Sequence, residues 1–373
     1  WADLIGNEVL KLTDEFEYEV WQPDLRADKI YSHKFENGLV HKLFPAGNHK
    51  KMFGLKIINQ VSSSILLSNL KNKNSNDSIL HLSSLGYYIN QEIIKKFYYL
   101  PKIIEFHSKL SVPYIEIRKL RKDILVNISY YKWHKELLRN KKIVFIYNNS
   151  ENSNVLSKYK NLGIERIFMG CDFNYWKPGN KEESKRHFGI EPNTKVFSMA
   201  SRFNPLKQID KIIKILTDIN KDNKYNFKLL IAGHGEREYE NYLKSISSIL
   251  LNKDKLLFTG YLAEEKMLKF YQASDIFISA SFSEGGPVSV VKAIACETPI
   301  MCTKVGGVDD ILSENKAGIL IDPYSCKEWK KKIIEVIEGK EVSILNREIA
   351  KENFHWPNVA QKFLNIYRRL GDV

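Results

Sequence analysis

Short apolar runs alternate with amphipathic stretches along most of the chain, and that alternation predicts its elements. Apolar residues recurring every three or four positions mark helices over 2–13, 55–70 and 89–97, whereas short apolar or alternating runs mark strands over 18–21, 39–44, 78–82, 102–106 and 142–147. A polar stretch rich in Lys, Glu and Pro, 177–193, interrupts the pattern, which then restarts. Strands are predicted over 195–200, 228–232, 255–259, 275–279, 299–303 and 318–321, separated by helices over 208–220, 236–250, 264–272 and 287–296. Strands alternating with helices predict a mostly parallel sheet covered on both faces. Two such series predict two doubly wound α/β domains joined near 176–193. In open parallel sheets ligands bind beyond the carboxyl ends of the strands, so a two-domain version is expected to hold its site in an interdomain cleft.

Composition changes this picture in three places. At 373 residues with 43% hydrophobic side chains, the chain fills two cores, and no apolar run approaches the ~20 residues that span a bilayer. The four cysteines, Cys171, Cys296, Cys302 and Cys326, form no CxxC pair, so neither a zinc site nor a disulfide framework is indicated, and a reducing cytoplasm is expected. Fifty-seven Lys and Arg against 44 Asp and Glu leave a formal charge of +13. That charge suits nucleic acid, an anionic membrane surface or a phosphate-bearing substrate, although a lysine-rich background accounts for it equally well because the cations are dispersed. The stretch 71–78, rich in Asn, Ser and Lys, reads as an exposed loop.

The strongest local constellation is Ser281-Phe-Ser-Glu-Gly-Gly-Pro-Val-Ser-Val-Val-Lys-Ala-Ile-Ala-Cys-Glu-Thr-Pro299. Glu284 follows a predicted strand, Gly285 and Gly286 let backbone approach a ligand closely, and Pro287 suits the first turn of a helix. The free N–H groups of such a helix start suit a diphosphate, and a carboxylate beside them suits sugar hydroxyls. Taken alone, Gly-Gly-Pro is an ordinary strand-to-helix turn. A second loop, Ser201-Arg-Phe-Asn-Pro-Leu-Lys207, places two cations at another strand's carboxyl end. Arg202 can fork onto phosphate oxygens and Lys207 can add a point charge.

With these residues in view, the stretch 145–370 resembles the retaining GT-B glycosyltransferases of family four, the glycosyl transferases group 1. Their arginine-and-lysine loop resembles Arg202 to Lys207, and their Gly-x-Gly turn resembles Gly233-His-Gly235. Phe258-Thr-Gly260, Ala273-Ser-Asp275, Gly306-Gly-Val-Asp-Asp310 and Met169-Gly-Cys-Asp-Phe-Asn-Tyr-Trp-Lys-Pro178 are similar to further family segments in the family's order. Phe354-His-Trp356 and the amphipathic helix after it resemble the segment that crosses back to the first domain. The resemblance implies an α/β GT-B fold with two Rossmann-like domains, 1–176 on the acceptor side and 177–355 on the nucleotide-sugar side, with 356–373 returning to the first.

The resemblance also implies an activity: transfer of a sugar from a nucleotide diphosphate donor to an acceptor hydroxyl, with retention. Catalytic roles fall to Arg202, Lys207, Glu284 and His107, the last carried over from a strand ending Glu105-Phe-His107. Donor contacts fall to Gly233, Gly235, Tyr261, Leu262, Gly285, Gly286, Pro287, Val288 and Lys292. No metal and no cofactor are expected, because the cations neutralise the leaving diphosphate. The expected partners are a nucleotide diphosphate sugar, an acceptor glycan, glycolipid or protein, and an anionic membrane surface, with no nucleic acid. The expected location is the cytoplasm, peripheral on the inner face of the plasma membrane, in cell-surface polysaccharide, glycolipid or glycoprotein synthesis. Alternatives are a GT-B phosphorylase or epimerase, or a non-catalytic carbohydrate- or nucleic-acid-binding protein. His81, at another strand end, is a weaker candidate than His107, and Tyr87 and Tyr88 are candidate acceptor contacts.

Three departures from the family pattern stand out. The second of its two spaced glutamates, which accepts from the nucleotide ribose, is Lys292 here, and an ammonium accepts nothing. Glu297 replaces a glycine. The chain opens at Trp1 on what reads as the family's first helix, so an upstream segment carrying the first strand and Gly-rich loop is expected.

Overall fold

The computed structural model describes residues 2–48, 61–72, 78–83, 88–106, 142–148, 152, 156, 157, 162–282, 284 and 286–371. The chain divides into two units, Trp1–Ile167 with Trp356–Val373, and Phe168–His355.

In the first unit, strands β1 (Glu19–Asp24), β2 (Tyr31–Lys34) and β3 (Val40–Pro45) form a mixed sheet of order β1-β3-β2. β1 runs parallel to β3 with Glu19 opposite Val40, and β2 and β3 form an antiparallel hairpin. The sequence pattern assigned 18–21 and 39–44 to one parallel sheet and missed β2. The reason is physical: all four residues of β2 are exposed, so the strand carries no apolar alternation to read. β4 (Gly47–Asn48) and β5 (Val61–Ser62) make a short antiparallel pair; residues 55–60 of the expected helix 55–70 lie outside the described residues, 61–62 are strand, and the helix found here is Ser64–Asn72.

The parallel sheet consists of β6 (Leu80–Ser83), β7 (Lys102–Phe106), β8 (Ile143–Tyr147) and β9 (Gly163–Arg166), in the order β6-β7-β8-β9. Its strands are covered by the terminal helices. Ile5 and Val9 of Ala2–Leu10, and Val359, Phe363, Ile366, Tyr367 and Leu370 of Trp356–Gly371, bury against Ile103, Val144 and Ile146. Their three- and four-residue spacing puts one apolar stripe on the sheet.

That packing encloses a polar cluster. His81 Nδ1 lies 2.8 Å from the Tyr367 hydroxyl and its Nε2 lies 2.8 Å from Glu105 Oε1. The Tyr18 hydroxyl approaches Tyr367 at 3.2 Å, and burial raises the pKa of both phenols. His81 thus ties β6 and β7 to the C-terminal helix rather than ending a strand at a site.

Lys102 of β7 is fully buried, and its Nζ donates to the Leu100 carbonyl at 2.7 Å and to that of Phe97. Burial lowers its pKa to about 7. In the unfolded chain an ammonium titrates near 10.4. Between these values the unfolded state binds a proton that the folded state does not, so stability rises with pH across that window. Denaturant unfolding from pH 7.5 to 9 is expected to show up to about 1.4 kcal/mol per pH unit of added stability, and Lys102→Met is expected to abolish that slope. Equal slopes in both proteins would refute the assignment.

The second unit is built on six parallel strands, β10 (Lys195–Ala200), β11 (Phe227–Ala232), β12 (Leu256–Gly260), β13 (Ile276–Ser279), β14 (Ile300–Thr303) and β15 (Ile319–Ile321). Their order is β12-β11-β10-β13-β14-β15, the doubly wound arrangement in which the chain reverses direction across the sheet between β10 and β13. Alternate residues feed two cores. Val196, Leu230 and Phe277 join one, and Phe197, Leu229, Ile231 and Trp329 join the other. Both faces are therefore covered by helices, and every residue of β11 is buried.

The expected domain boundary at Trp176 moves back to Ile167. Phe168, Cys171, Phe173 and Trp176 pack with Phe270, Tyr271 and Phe354 of the second unit. The polar stretch after it is not plain linker, because Lys181–His187 is a helix. Asn180 caps it by accepting from the Glu183 N–H at 3.0 Å, and Lys185 anchors it to Asp275 at 2.8 Å. The expected helix 236–250 divides into Arg237–Ile246 and Ser248–Asn252 at Ser247, whose hydroxyl donates to the Leu243 carbonyl at 2.6 Å.

Candidate functional site

The reversal between β10 and β13 brings two loops together at the carboxyl ends of these strands. After β10, Pro205 opens a 3-10 turn, Pro205–Lys207, and the Asn204 side chain accepts from the Leu206 N–H at 2.9 Å. After β13, the Phe282 N–H donates to the Leu206 carbonyl at 2.8 Å, fixing one loop against the other. The result is a short ion pair, Lys207 Nζ to Glu284 Oε1 at 2.5 Å. Ser281 Oγ donates to the same carboxylate oxygen at 2.5 Å. Thr303 at the end of β14 holds the loop by donating to the Ser281 carbonyl at 2.6 Å.

Glu284 is 13% exposed and Lys207 24%, so the pair is partly withdrawn from water yet reachable. Among the described residues none bonds to Glu284 Oε2, which leaves that oxygen for a ligand hydroxyl. Gly306 makes this position crowded, since a Cβ there would stand 2.9 Å from Glu284 Cβ. Arg202, on the same loop as Lys207, is exposed and pairs with no described residue.

A third loop, Gly233-His234-Gly235 after β11, backs the first. The Phe203 N–H donates to the His234 carbonyl at 2.8 Å, and the Ser201 N–H donates to that of Ala232 at 3.1 Å. A Cβ on Gly233 would lie 1.9 Å from the Ser201 carbonyl oxygen, and one on Gly235 would lie 2.1 Å from that of Phe203. The two glycines thus let this loop press against the Arg202 segment. Tyr261, after β12, is 79% exposed, with its ring 6.2 Å from that of His234. Leu262 differs, because its half-buried side chain packs against the core.

The helix Val288–Ala295 starts at Pro287 without a side-chain cap, so its first N–H groups remain available as donors. Gly286, Pro287 and Val288 are placed at that start. Lys292 is held elsewhere. Its Nζ lies 4.1 Å over the Trp176 ring and 3.9 Å from Glu264 Oε1, so the departure from the family pattern is occupied by a cation–π contact. Gly285, His107, Tyr87 and the Tyr88 side chain lie outside the described residues.

Ser281, Thr303 and Glu264 were not singled out from the sequence. Ser281 stands three residues before Glu284, a weak signal, and Thr303 and Glu264 are distant in sequence from the groups they support. Burial pushes Cys171 and Cys296 up to about 12, and Cys302 higher still, which keeps them protonated.

Residues 180–355, nearly all of the second unit, match the model of the glycosyl transferases group 1 family. An uncharacterized glycosyltransferase of Methanocaldococcus jannaschii is 29% identical over 272 residues, 71% of this chain. The match spans 64% of that relative's own length, less than two thirds of it. Among solved structures, a sucrose-phosphate synthase of Thermosynechococcus elongatus superposes with a TM-score of 0.71 at 16% identity, covering 98% of this chain and 91% of that one. Anabaena HepE, solved with UDP-glucose, gives a TM-score of 0.62 at 16% identity, covering 89% and 86%. These likenesses establish the GT-B fold. No described helix is long and apolar enough to cross a membrane.

Proposed function

We propose that the chain transfers a sugar from a nucleoside diphosphate donor to an acceptor hydroxyl, with retention at the anomeric carbon. The observation that carries this reading is the Lys207–Glu284 pair at the reversal point of a domain matching the group 1 glycosyltransferases, with Arg202 on the same loop as Lys207 and exposed. In the resting site the ammonium and the carboxylate neutralise one another. A bound donor offers each a better partner, the diphosphate for Lys207 and Arg202 and the sugar hydroxyls for Glu284.

The bond between the anomeric carbon and the diphosphate oxygen breaks as the bond to the acceptor oxygen forms, and the acceptor's proton leaves with the diphosphate. Negative charge develops on the departing phosphate, and Arg202, Lys207 and the N–H groups at the start of the helix Val288–Ala295 are the groups assigned to receive it. Neutralisation is assigned to these groups rather than to a metal ion. UDP-glucose is a rational first donor because HepE, which shares the fold, was solved with it.

A melting-temperature panel of UDP-, GDP-, ADP- and dTDP-linked sugars tests the reading. Binding to the folded state alone adds about 2.7 kcal/mol of stability at a hundred times Kd, so at least one donor is expected to raise the melting point. A chain that no nucleotide sugar stabilises does not have this function.

A further inference from the structure

A cleft of about 470 Å³ lies in the second unit at the amino ends of β10, β11 and β12. Asn223, Lys224, Tyr225, Asn226, Lys253 and Lys255 line it, a set with cations and no carboxylate. The first four belong to the turn leading into β11 and the lysines at 253 and 255 to the turn leading into β12. Parallel pairing sets these turns side by side: the Lys195 N–H donates to the Asn226 carbonyl at 3.2 Å, and the Leu229 N–H to that of Lys255 at 2.9 Å. The cleft is remote from the sugar site. β10, with 6 residues at about 3.3 Å each, separates it from the Lys207 loop by about 20 Å.

The lysines are held with donors to spare. Lys255 is half-buried, and its Nζ lies 4.8 Å over the Phe227 ring and gives one hydrogen bond, to the Tyr225 carbonyl. Lys224 Nζ lies 5.0 Å over the Tyr225 ring and 3.9 Å from Glu338. Lys253 is exposed, and among the described residues no carboxylate pairs with it. The acids nearby are engaged: Glu338 accepts from the Tyr225 hydroxyl at 2.7 Å, Asp254 accepts from Lys228 at 2.7 Å, and Asp222, after Asp218, helps to raise the pKa of Lys221. Burial, and after it the charge of Lys253, lowers the pKa of Lys255. Lys253 and Lys255 thus repel one another across a cleft lined by no acid, and a bound anion removes that repulsion.

The donor set and the volume select the anion. A cavity of this size is in the range that holds a small molecule, about 300–1,000 Å³. Lysine ammonium groups and the asparagine amides offer more N–H donors than the two oxygens of a carboxylate use. A phosphate group brings up to about two charges and three strong acceptor oxygens, which suits them.

We propose that Lys224, Lys253 and Lys255, with Asn223 and Asn226, form a second binding site, for a phosphate-bearing ligand, at the amino ends of the strands. It is separate from the sugar site and does not depend on the activity proposed there.

Calorimetry with inorganic pyrophosphate tests it, on the full chain carrying Arg202→Met and Lys207→Met so that the cations of the sugar site are gone. Pyrophosphate is expected to bind still. Adding Lys253→Ala, at an exposed and unpaired side chain whose loss leaves folding intact, is expected to weaken binding about tenfold, and adding Lys224→Ala as well about tenfold again. Lys253→Arg is expected to keep it. Sedimentation with phosphatidylcholine vesicles, with and without phosphatidylinositol 4-phosphate, identifies the source of the phosphate. Binding of free pyrophosphate assigns a soluble ligand, whereas binding only to vesicles carrying the phosphoinositide, weakened by the same substitutions, assigns a lipid headgroup. Binding in neither arm, or equal affinity with and without Lys253→Ala, overturns the site.

Discussion

Lys207→Met is expected to lower kcat/KM for the active nucleotide-sugar donor by about 10²–10³-fold, the cost of removing one preorganised group that meets developing charge, about 2.7–4 kcal/mol of barrier. The substitution keeps the length of the side chain and removes only its charge. In the free protein it also strips Glu284 of its ion-pair partner, leaving Ser281 as its remaining hydrogen-bond partner among the described residues. Glu284→Gln is expected to cost a similar factor, because the amide keeps the volume and loses the anion. Since each single change already disables the shared unit, the double variant should be little worse than either single one. Steady-state kinetics on the four proteins of this cycle give the answer. Single losses of only a few-fold, or strictly multiplicative losses, would show that the pair does not act together in the reaction.

The parts of this site that sequence reasoning reached are those whose chemistry is local. Lys207 and Glu284 each follow a nearly continuous apolar run, and a fully buried parallel strand such as β11 announces itself that way. What was illegible depended on distant partners. Lys292 reads as a departure from the ribose-binding glutamate, but the Trp176 ring beneath its ammonium leaves no trace in the local sequence. The helix Lys181–His187 contains almost no apolar residue, and its stability comes from Asn180 and from the buried Lys185–Asp275 pair, neither of which leaves a periodic trace. β2 was missed because no face of it is buried. His81 reads as a strand-end histidine, yet Glu105 and Tyr367 make it an internal brace.

The largest stability effect is expected at Gly233, where two costs coincide. Its φ of +128 is a backbone state that side chains disfavour, and its Cβ direction points into the Ser201 carbonyl at 1.9 Å. No rotation of a side chain relieves a clash between a Cβ and a backbone oxygen. The Ser201–Phe203 segment, which bonds to this loop through the Ser201 and Phe203 N–H groups, must therefore move. Gly233→Ala is expected to destabilise the second unit by about 3–5 kcal/mol, the range reserved for steric disruption of packed backbone. Gly189 separates the two costs. It has a φ of +64 with nothing within 4 Å of its would-be Cβ, so Gly189→Ala should cost only about 1–2 kcal/mol. Moving the Ser201–Phe203 segment also shifts Arg202, and misplacement by about 1 Å is enough to lose roughly 10²-fold in rate. Gly233→Ala should therefore lose donor-induced stabilisation even where it remains folded, while Gly189→Ala keeps it. Denaturant midpoints and donor melting shifts measured on both variants decide the matter: equal midpoints would mean that the loop yields without cost, and that close contact with Ser201 is not what requires glycine at this position.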